Sequence, residues 1–424
     1  MLRRARLCLF LLPLASSWAQ YDSGQPVTPE LILIGRVQHV VSEMLRSMPN
    51  FTCVETIERS QRTQSTKKFQ LLDTIRLEVA LAEGRELYAW PGSPKFEETD
   101  VTKLVGGMGA IGTGDFALHA KSIFLTGQAR FHYLGLEDVN GKPAHKFHYE
   151  VPMDASKYMM RIAGAEGEVG YQGHVWHDKD TLDLIRLEMT VDEIPRQIPL
   201  ARGYKLIEYA RLPIGDRTYV LPVMMDMTLT GVQGLESRNK TVFSRCKQYS
   251  GESTIIFDEP APDAKPAEAR VVVTLPKNLP VDMKLVETID LSKSATGDPV
   301  SFVVTKNAQR DGQVLVPKGA RVSARLDQVV CRDFPFGHCF VAIVPLRIEF
   351  ENKTGAFPAS LDIPSLERSM QTMFANMRPE LRLPPAEIGM ASKGSSLLLL
   401  RGNRPKLTSG YSMIWRTLEA PGDQ

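Results

Sequence analysis

From Thr28 onward the apolar residues recur first at every third or fourth position and then at every second one. Leu31, Ile34, Val41, Leu45 and Met48 keep the helical spacing and form a single apolar stripe. Thr28 offers a capping hydroxyl, Pro29 sits in the first turn, Glu30 lies near the positive end of the helix dipole, and Pro49 stops the run. The period then falls to two. Phe69, Leu71, Ile75, Leu77, Val79 and Leu81 alternate with mostly polar neighbours, which predicts a long strand with one buried face. Residues 82–85 turn the chain back into 87–90, and a glycine-rich loop over 106–114 precedes a short helix over 115–125 that Gly127 closes.

Strands dominate from residue 129. Asn140-Gly141 between Phe131-His132-Tyr133 and Phe147-His148-Tyr149 is a strong hairpin signal, because both turn residues tolerate positive φ. Two more hairpins are predicted, 169–176 with 182–191 and 204–212 with 219–230, and a strand over 240–257 is expected to end the sheet. A chain with so few helices and so many hairpins implies a mainly β protein. Its first domain, residues 29–257, is read as a curved antiparallel half-barrel packed on a helix.

Residues 258–269 hold three prolines among small and charged residues, a composition that stiffens the chain and offers nothing to bury, so they read as a linker. Beyond it, residues 270–420 carry short strands with turns such as Pro317-Lys318-Gly319, which suggests a small β-barrel or sandwich. A helical insertion is expected near 364–377. Its face of Leu366, Met370, Met373 and Met377 reads as core or as a plastic docking surface.

The start of the chain changes the setting. Arg3, Arg4 and Arg6 lead into an apolar stretch and then Ser17-Trp18-Ala19, the pattern of a signal peptide over residues 1–19, followed by a flexible lead-in over 20–28. Removing those three arginines takes the net charge from +2 to −1, which leaves no electrostatic footprint for nucleic acid. No later apolar run approaches the roughly 18 residues of a transmembrane helix. The expected compartment is periplasmic or extracellular. There the cysteines past the signal, Cys53, Cys246, Cys331 and Cys339, are expected to form disulfides. Cys331 and Cys339 flank a short loop that a hairpin would close, which leaves Cys53 for Cys246. No C-x-x-C pair supports zinc instead.

The segment Gly173-His174-Val175-Trp176-His177-Asp178-Lys179-Asp180-Thr181-Leu182-Asp183-Leu184-Ile185-Arg186 resembles the tryptophan-to-arginine hairpin of outer-membrane lipoprotein-sorting proteins of the LolA, LolB and LppX kind. The order of elements over the first domain is similar as well. That resemblance implies a half-open barrel capped by helices, whose apolar hollow holds acyl chains. The second domain, through Thr296-Gly297 and Val314-Leu315-Val316-Pro317-Lys318-Gly319-Ala320-Arg321-Val322, loosely resembles the β-barrel of TrbI-type conjugal-transfer proteins.

Candidate chemistry is sparse. His174 and His177 form H-x-x-H, but residues three apart on a strand face opposite ways. His132, His145 and His148 lie on the two arms of one hairpin and can approach across strands. Gly107-Met108-Gly109-Ala110-Ile111-Gly112 satisfies G-x-G-x-x-G as a string, yet the antiparallel surroundings exclude a dinucleotide fold. No cofactor and no catalytic residue is therefore assigned. The favoured function is a non-catalytic cell-envelope protein that binds a lipid or acylated ligand, lined by Phe69, Leu71, Ile75, Leu77, Val79 and Leu81 with Leu31, Ile34, Val41 and Leu45 opposite. The alternatives are a structural module docking an envelope protein partner, and a metal-dependent hydrolase built on the histidine hairpins.

Overall fold

The computed structural model describes residues 28–249, apart from 83, 94–95, 97–100, 102–117 and 163, and residues 271–419, apart from 333–336, 363–395 and 403. The signal peptide, most of the lead-in, the glycine-rich loop, the linker and the methionine-faced helix all lie outside the described residues.

Helix α1, Pro29–Ser47, starts where Thr28 caps it: the Thr28 hydroxyl accepts from the Leu31 amide at 3.3 Å. After it come β1 (Phe51–Arg62), β2 (Gln70–Ala82), β3 (Arg85–Ala89) and helix α2 (Leu118–Phe124). The chain continues through β4 (Arg130–Val139), β5 (Lys142–Val151), a small hairpin of β6 (Met159–Ile162) and β7 (Ala165–Glu168), and β8 (Gly170–Asp178). It ends with β9 (Leu184–Asp192), β10 (Leu200–Ile214), β11 (Arg217–Gly231) and β12 (Glu236–Gln248). Ten of these strands form one antiparallel sheet in the order β3-β2-β1-β12-β11-β10-β9-β8-β5-β4. The expectation that the last strand ends the sheet is corrected: β12 is interior, because β1 returns to pair along its length and leaves β3 and β4 as the edges.

The inner face of this sheet holds one contiguous apolar cluster. Cross-strand register shows how it is assembled, since residues directly opposite one another share a face. Ile75 lies opposite Ile57, Leu77 opposite Glu55, Val79 opposite Cys53 and Leu81 opposite Phe51. Further round, Phe147, Val175, Leu187, Ile207 and Met225 form one inward row. Helix α1 crosses the open side. Glu30 at its start lies close enough to influence Tyr133 on β4, while Leu45 and Met48 at its end meet Leu81 and Gly84 at the turn from β2 to β3.

Two residues of the expected inner set belong elsewhere. Between Arg59 and Ser60 the register against β2 slips by one, so that Asp73 faces Arg59 but Leu71 faces Ser60. A one-residue bulge moves every side chain beyond it to the other face. Leu71 is accordingly exposed on the outer face, and Phe69 lies there under the guanidinium groups of Arg62 and Arg238, 4.6 and 5.5 Å from its ring. Leu31, at the exposed start of α1, also lies outside the core.

The second part of the chain has its own core, around Trp415, Phe302 and Phe357. Its nine-stranded sheet runs in space through Val271–Val272, Lys353–Ala356, His338–Phe350, Arg321–Arg332, Pro299–Val304, Pro280–Leu285, Ser412–Thr417 and Ala359–Leu361, with Ser396–Arg401 joined to His338–Phe350. The two parts meet at β2. Strand β3 reaches only as far as Glu78, which leaves the first half of β2 as a free edge. Thr296 covers it: the Arg76 amide donates to the Thr296 carbonyl at 2.8 Å, and the Thr296 amide donates to the Thr74 carbonyl at 2.9 Å. Arg76 also pairs with Asp298, and Arg325 stacks 4.5 Å from the ring centre of Trp90. A covered edge is protected from pairing with another chain. Gly297 is required here by close approach. A β-carbon on it would meet the Arg76 carbonyl and lie 2.7 Å from the Trp90 ring, and its φ of +102° favours glycine independently.

Candidate functional site

The apolar residues proposed to line a hollow are gathered only in part. Ile75, Leu77, Val79, Leu81 and Val41 are buried against one another in the first core, with Ile34 and Leu45 packed on it partly exposed. Over most of its area the inner face formed by the described residues is therefore filled, and a recess stays open at one end of it. Leu45, Arg46 and Met48 of α1 and its cap form one wall, Leu81 and Gly84 the floor, and Lys121 and Leu125 at the end of α2 the other wall. Its volume is about 190 Å³, below the roughly 300–1,000 Å³ of pockets that enclose a drug-sized ligand. Leucine and methionine side chains make its interior, and Arg46 and Lys121 are the cations at its rim. Gly84 keeps the floor low: a β-carbon there would lie 3.2 Å from the Lys121 Nζ. Geometry of this kind admits the end of an apolar chain and places positive charge where that chain meets water.

Charged residues inside the sheet are the feature that sequence reasoning missed. Arg59 is buried on the inner face and holds Asp73 in a two-point ion pair, Nε to Oδ1 at 2.8 Å and Nη2 to Oδ2 at 2.5 Å. Glu55 on the same strand, and Asn239 and Thr241 on the neighbouring β12, are buried on the same face, and Lys205 lies between Met189 and Met227. The signal was available in the strand period, since Glu55 and Arg59 are in phase with Phe51, Cys53 and Ile57, and Lys205 is in phase with Ile207.

Next to Lys205 lies an aromatic group on α2 and its neighbours. His119 stacks on Tyr171 with ring centres 5.9 Å apart and meets Tyr158 edge-on at 5.2 Å, while the Ser122 and Tyr171 hydroxyls are 3.1 Å apart. Burial, helped by the positive charge of Lys205, holds His119 well below the usual imidazole range. The buried Tyr149 hydroxyl donates to the Glu188 carbonyl at 2.9 Å, and burial pushes its pKa well up.

The H-x-x-H histidines are divided between the two faces. His177 points inward, fully buried, and shares a hydrogen bond of 3.0 Å with the Leu182 carbonyl. His174 points outward, where its Nδ1 lies 3.6 Å from a Glu188 carboxylate oxygen. On the hairpin, His145 faces inward beside Tyr133, with Nδ1 and the phenol oxygen 3.0 Å apart, whereas His148 faces outward toward His174. A hydrolase built on either set as one cluster has no support in this arrangement. Among the described residues no group of three histidine, cysteine, aspartate or glutamate side chains is gathered as for a metal ion, and no helix is long and apolar enough to cross a membrane. Cys53 is bonded to Cys246, and Cys331 to Cys339 across two directly paired strands, as an oxidising compartment allows.

No protein-family model matches the chain, and no curated protein is similar to it in sequence. Solved structures do resemble part of it. A domain from Vibrio parahaemolyticus described as that of an outer membrane lipoprotein-sorting protein aligns over 51% of this chain and 94% of its own, at 14% identity and a TM-score of 0.30. A DUF1329 family protein from Desulfovibrio piger covers 53% of this chain and 97% of its own, at 12% identity and a TM-score of 0.28. The lipoprotein LppX of Mycobacterium tuberculosis covers 52% of this chain and 97% of its own, at 7% identity and a TM-score of 0.21. Each of these alignments covers about half of this chain and nearly all of the other protein.

Proposed function

We propose that this protein is a non-catalytic envelope component that holds the acyl chain of an anionic amphiphile at the recess between α1, α2 and the turn from β2 to β3. The observation that carries this reading is an apolar recess with Arg46 and Lys121 at its mouth. Each methylene taken from water gains about 0.8 kcal/mol. A cation at the rim attracts a carboxylate or phosphate head and leaves the chain as the part that is buried. As it stands the recess admits only the end of a chain, so deeper binding requires α1 and α2, which touch each other, to separate.

The test uses full-length protein secreted into a bacterial periplasm. Native mass spectrometry and organic extraction identify any carried lipid, and a dansyl-labelled undecanoic acid measures the site directly. Leu45→Trp fills the recess and is expected to weaken the dansyl probe roughly tenfold or more; Lys121→Glu, an exposed change, is expected to weaken it several-fold and more at low salt. Absence of both carried lipid and dansyl binding overturns the reading. So does dansyl binding that neither variant alters.

A further inference from the structure

Helix α2 forms one wall of the recess through Lys121 and, just past its end, Leu125. Ala120, Ile123 and Phe124 dock it on the sheet, together with His119, which is 3% exposed. A helix of seven residues has no stability of its own in water, so α2 stays in place by this packing. The surroundings of His119 suit a neutral ring and not a cation. Tyr171 on β8 stacks against it, Tyr158 ahead of β6 meets it edge-on, and its Nε2 meets the sulfur of Met189 on β9, a weak acceptor. Ser122, one turn on along α2, directs its hydroxyl to the His119 carbonyl and to Tyr171. Lys205 on β10 lies directly opposite Met189 and is itself 1% exposed. Its amino group, 5.8 Å from the Tyr158 ring, is the charge among the described residues that acts on the imidazole, and no carboxylate of those residues does so.

We propose that α2 is an acid-released lid on the recess, that protonation of His119 lifts it from the sheet, and that the acyl chain held there leaves as it opens. The inference rests on the acyl-binding reading for its consequence, whereas the motion follows from α2 itself. A proton added to the closed form would place a second buried positive charge beside Lys205, where water cannot solvate it. Burial first, and Lys205 second, accordingly hold His119 well below the usual imidazole range. Lifting α2 carries His119 into water, where its ordinary pKa of about 6.5 returns. Above about pH 6.5 the ring is neutral in both forms and the lid is unaffected. Below it the open form takes up a proton that the closed form refuses, so opening becomes more frequent by nearly tenfold for each further pH unit. Between about pH 7 and about pH 5 the gain is roughly 25-fold. The movement also parts Lys121 and Leu125 from Leu45, Arg46 and Met48, the separation of α1 from α2 that deeper binding requires.

The experiment is amide hydrogen exchange, read by mass spectrometry, on full-length disulfide-bonded protein without ligand at about pH 7 and about pH 5, each rate divided by the intrinsic rate at that pH. Protection over α2 is expected to fall roughly 25-fold more than protection over β8 and β9. His119→Phe keeps an aromatic ring in place but cannot take the proton, and it should abolish the difference. His174→Gln, on the outward face of β8, should leave it unchanged. Release of the dansyl-labelled undecanoic acid, followed by stopped flow, should quicken over the same range in the wild type and not in His119→Phe. If His119→Phe misfolds by circular dichroism, His119→Gln takes its place. Protection over α2 that is independent of pH in the wild type, or that falls equally in the phenylalanine variant, overturns the proposal, as does probe release that ignores the opening. A protein that binds no dansyl probe at all refutes the acyl-binding reading and with it the release, and exchange over α2 then still decides the motion.

Discussion

Mild acid should weaken the first sheet through His177. The Leu182 carbonyl 3.0 Å from Nδ1 fixes the neutral tautomer with its proton on Nδ1, which donates to that oxygen. The other nitrogen, Nε2, has no hydrogen-bond partner among the described residues, and the rings of Phe124 and Phe147 lie 5.4 and 6.0 Å from the imidazole. A proton added there would bury a charge with no acceptor for the new N–H, and burial accordingly lowers the group from 6.5 to about 4. Above about pH 6.5 the ring is neutral in both the folded and the unfolded chain and has no effect. As the pH falls from there toward 4, the unfolded chain takes up a proton that the folded chain refuses, so stability is lost across that window and no further below it. The displacement corresponds to about 3 kcal/mol in full, of which about 2.5 kcal/mol is gone at about pH 4.5. Urea unfolding followed by tryptophan fluorescence, at about pH 7.5 and about pH 4.5, measures it in the wild type and in His177→Gln. The variant should start about 1 kcal/mol lower at the higher pH, having lost a hydrogen bond. On acidification it should then lose about 2.5 kcal/mol less than the wild type, because every other titrating group is common to both. Stability curves that fall in parallel would refute the reasoning.

The seam between the two sheets makes its own prediction. Gly297→Val drives a side chain into the Arg76 carbonyl and Trp90, breaking two backbone hydrogen bonds and the Arg76–Asp298 pair; at about 1 kcal/mol each, amide exchange at Arg76 and Thr296 should rise by roughly 100-fold while the rest of each sheet stays protected. Unequal loss is expected from the disulfides. Cys53–Cys246 closes 193 residues and Cys331–Cys339 only 8, so on the chain-entropy model replacing the first pair with alanine costs about 5 kcal/mol and the second about half that, as read from urea midpoints.

How much of this was legible depends on how local each feature is. The cap, stripe and stop of α1 involve residues within a turn or two of each other, and the helix runs from Pro29 to Ser47 as those signals indicate. The Asn140-Gly141 turn and the alternation from Ile75 to Leu81 are equally local. Phe69 and Leu71 were misplaced because their face depends on a bulge in the pairing with another strand: the pairing of β1 with β2 slips by one residue between Arg59–Asp73 and Ser60–Leu71, beyond the last inward position of β2. The recess was half visible. Leu45 and Leu81 stood out as apolar positions, whereas Arg46, Lys121 and Gly84 carried no signal in isolation, because nothing in a local pattern says that the end of α1 meets the end of α2.

By itself the sequence determined the period of each segment, the positions of the turns, and which residues of a strand share a face, because those follow from backbone geometry over a few residues. Tertiary structure alone decided the spatial order of the strands, the return of β1 to β12, the sealing of the β2 edge by Thr296, and the gathering of Tyr171, Met189 and Lys205 around His119. Those depend on register between segments far apart in the chain, and a shift of one residue in any pairing would have moved each of these side chains to the opposite face.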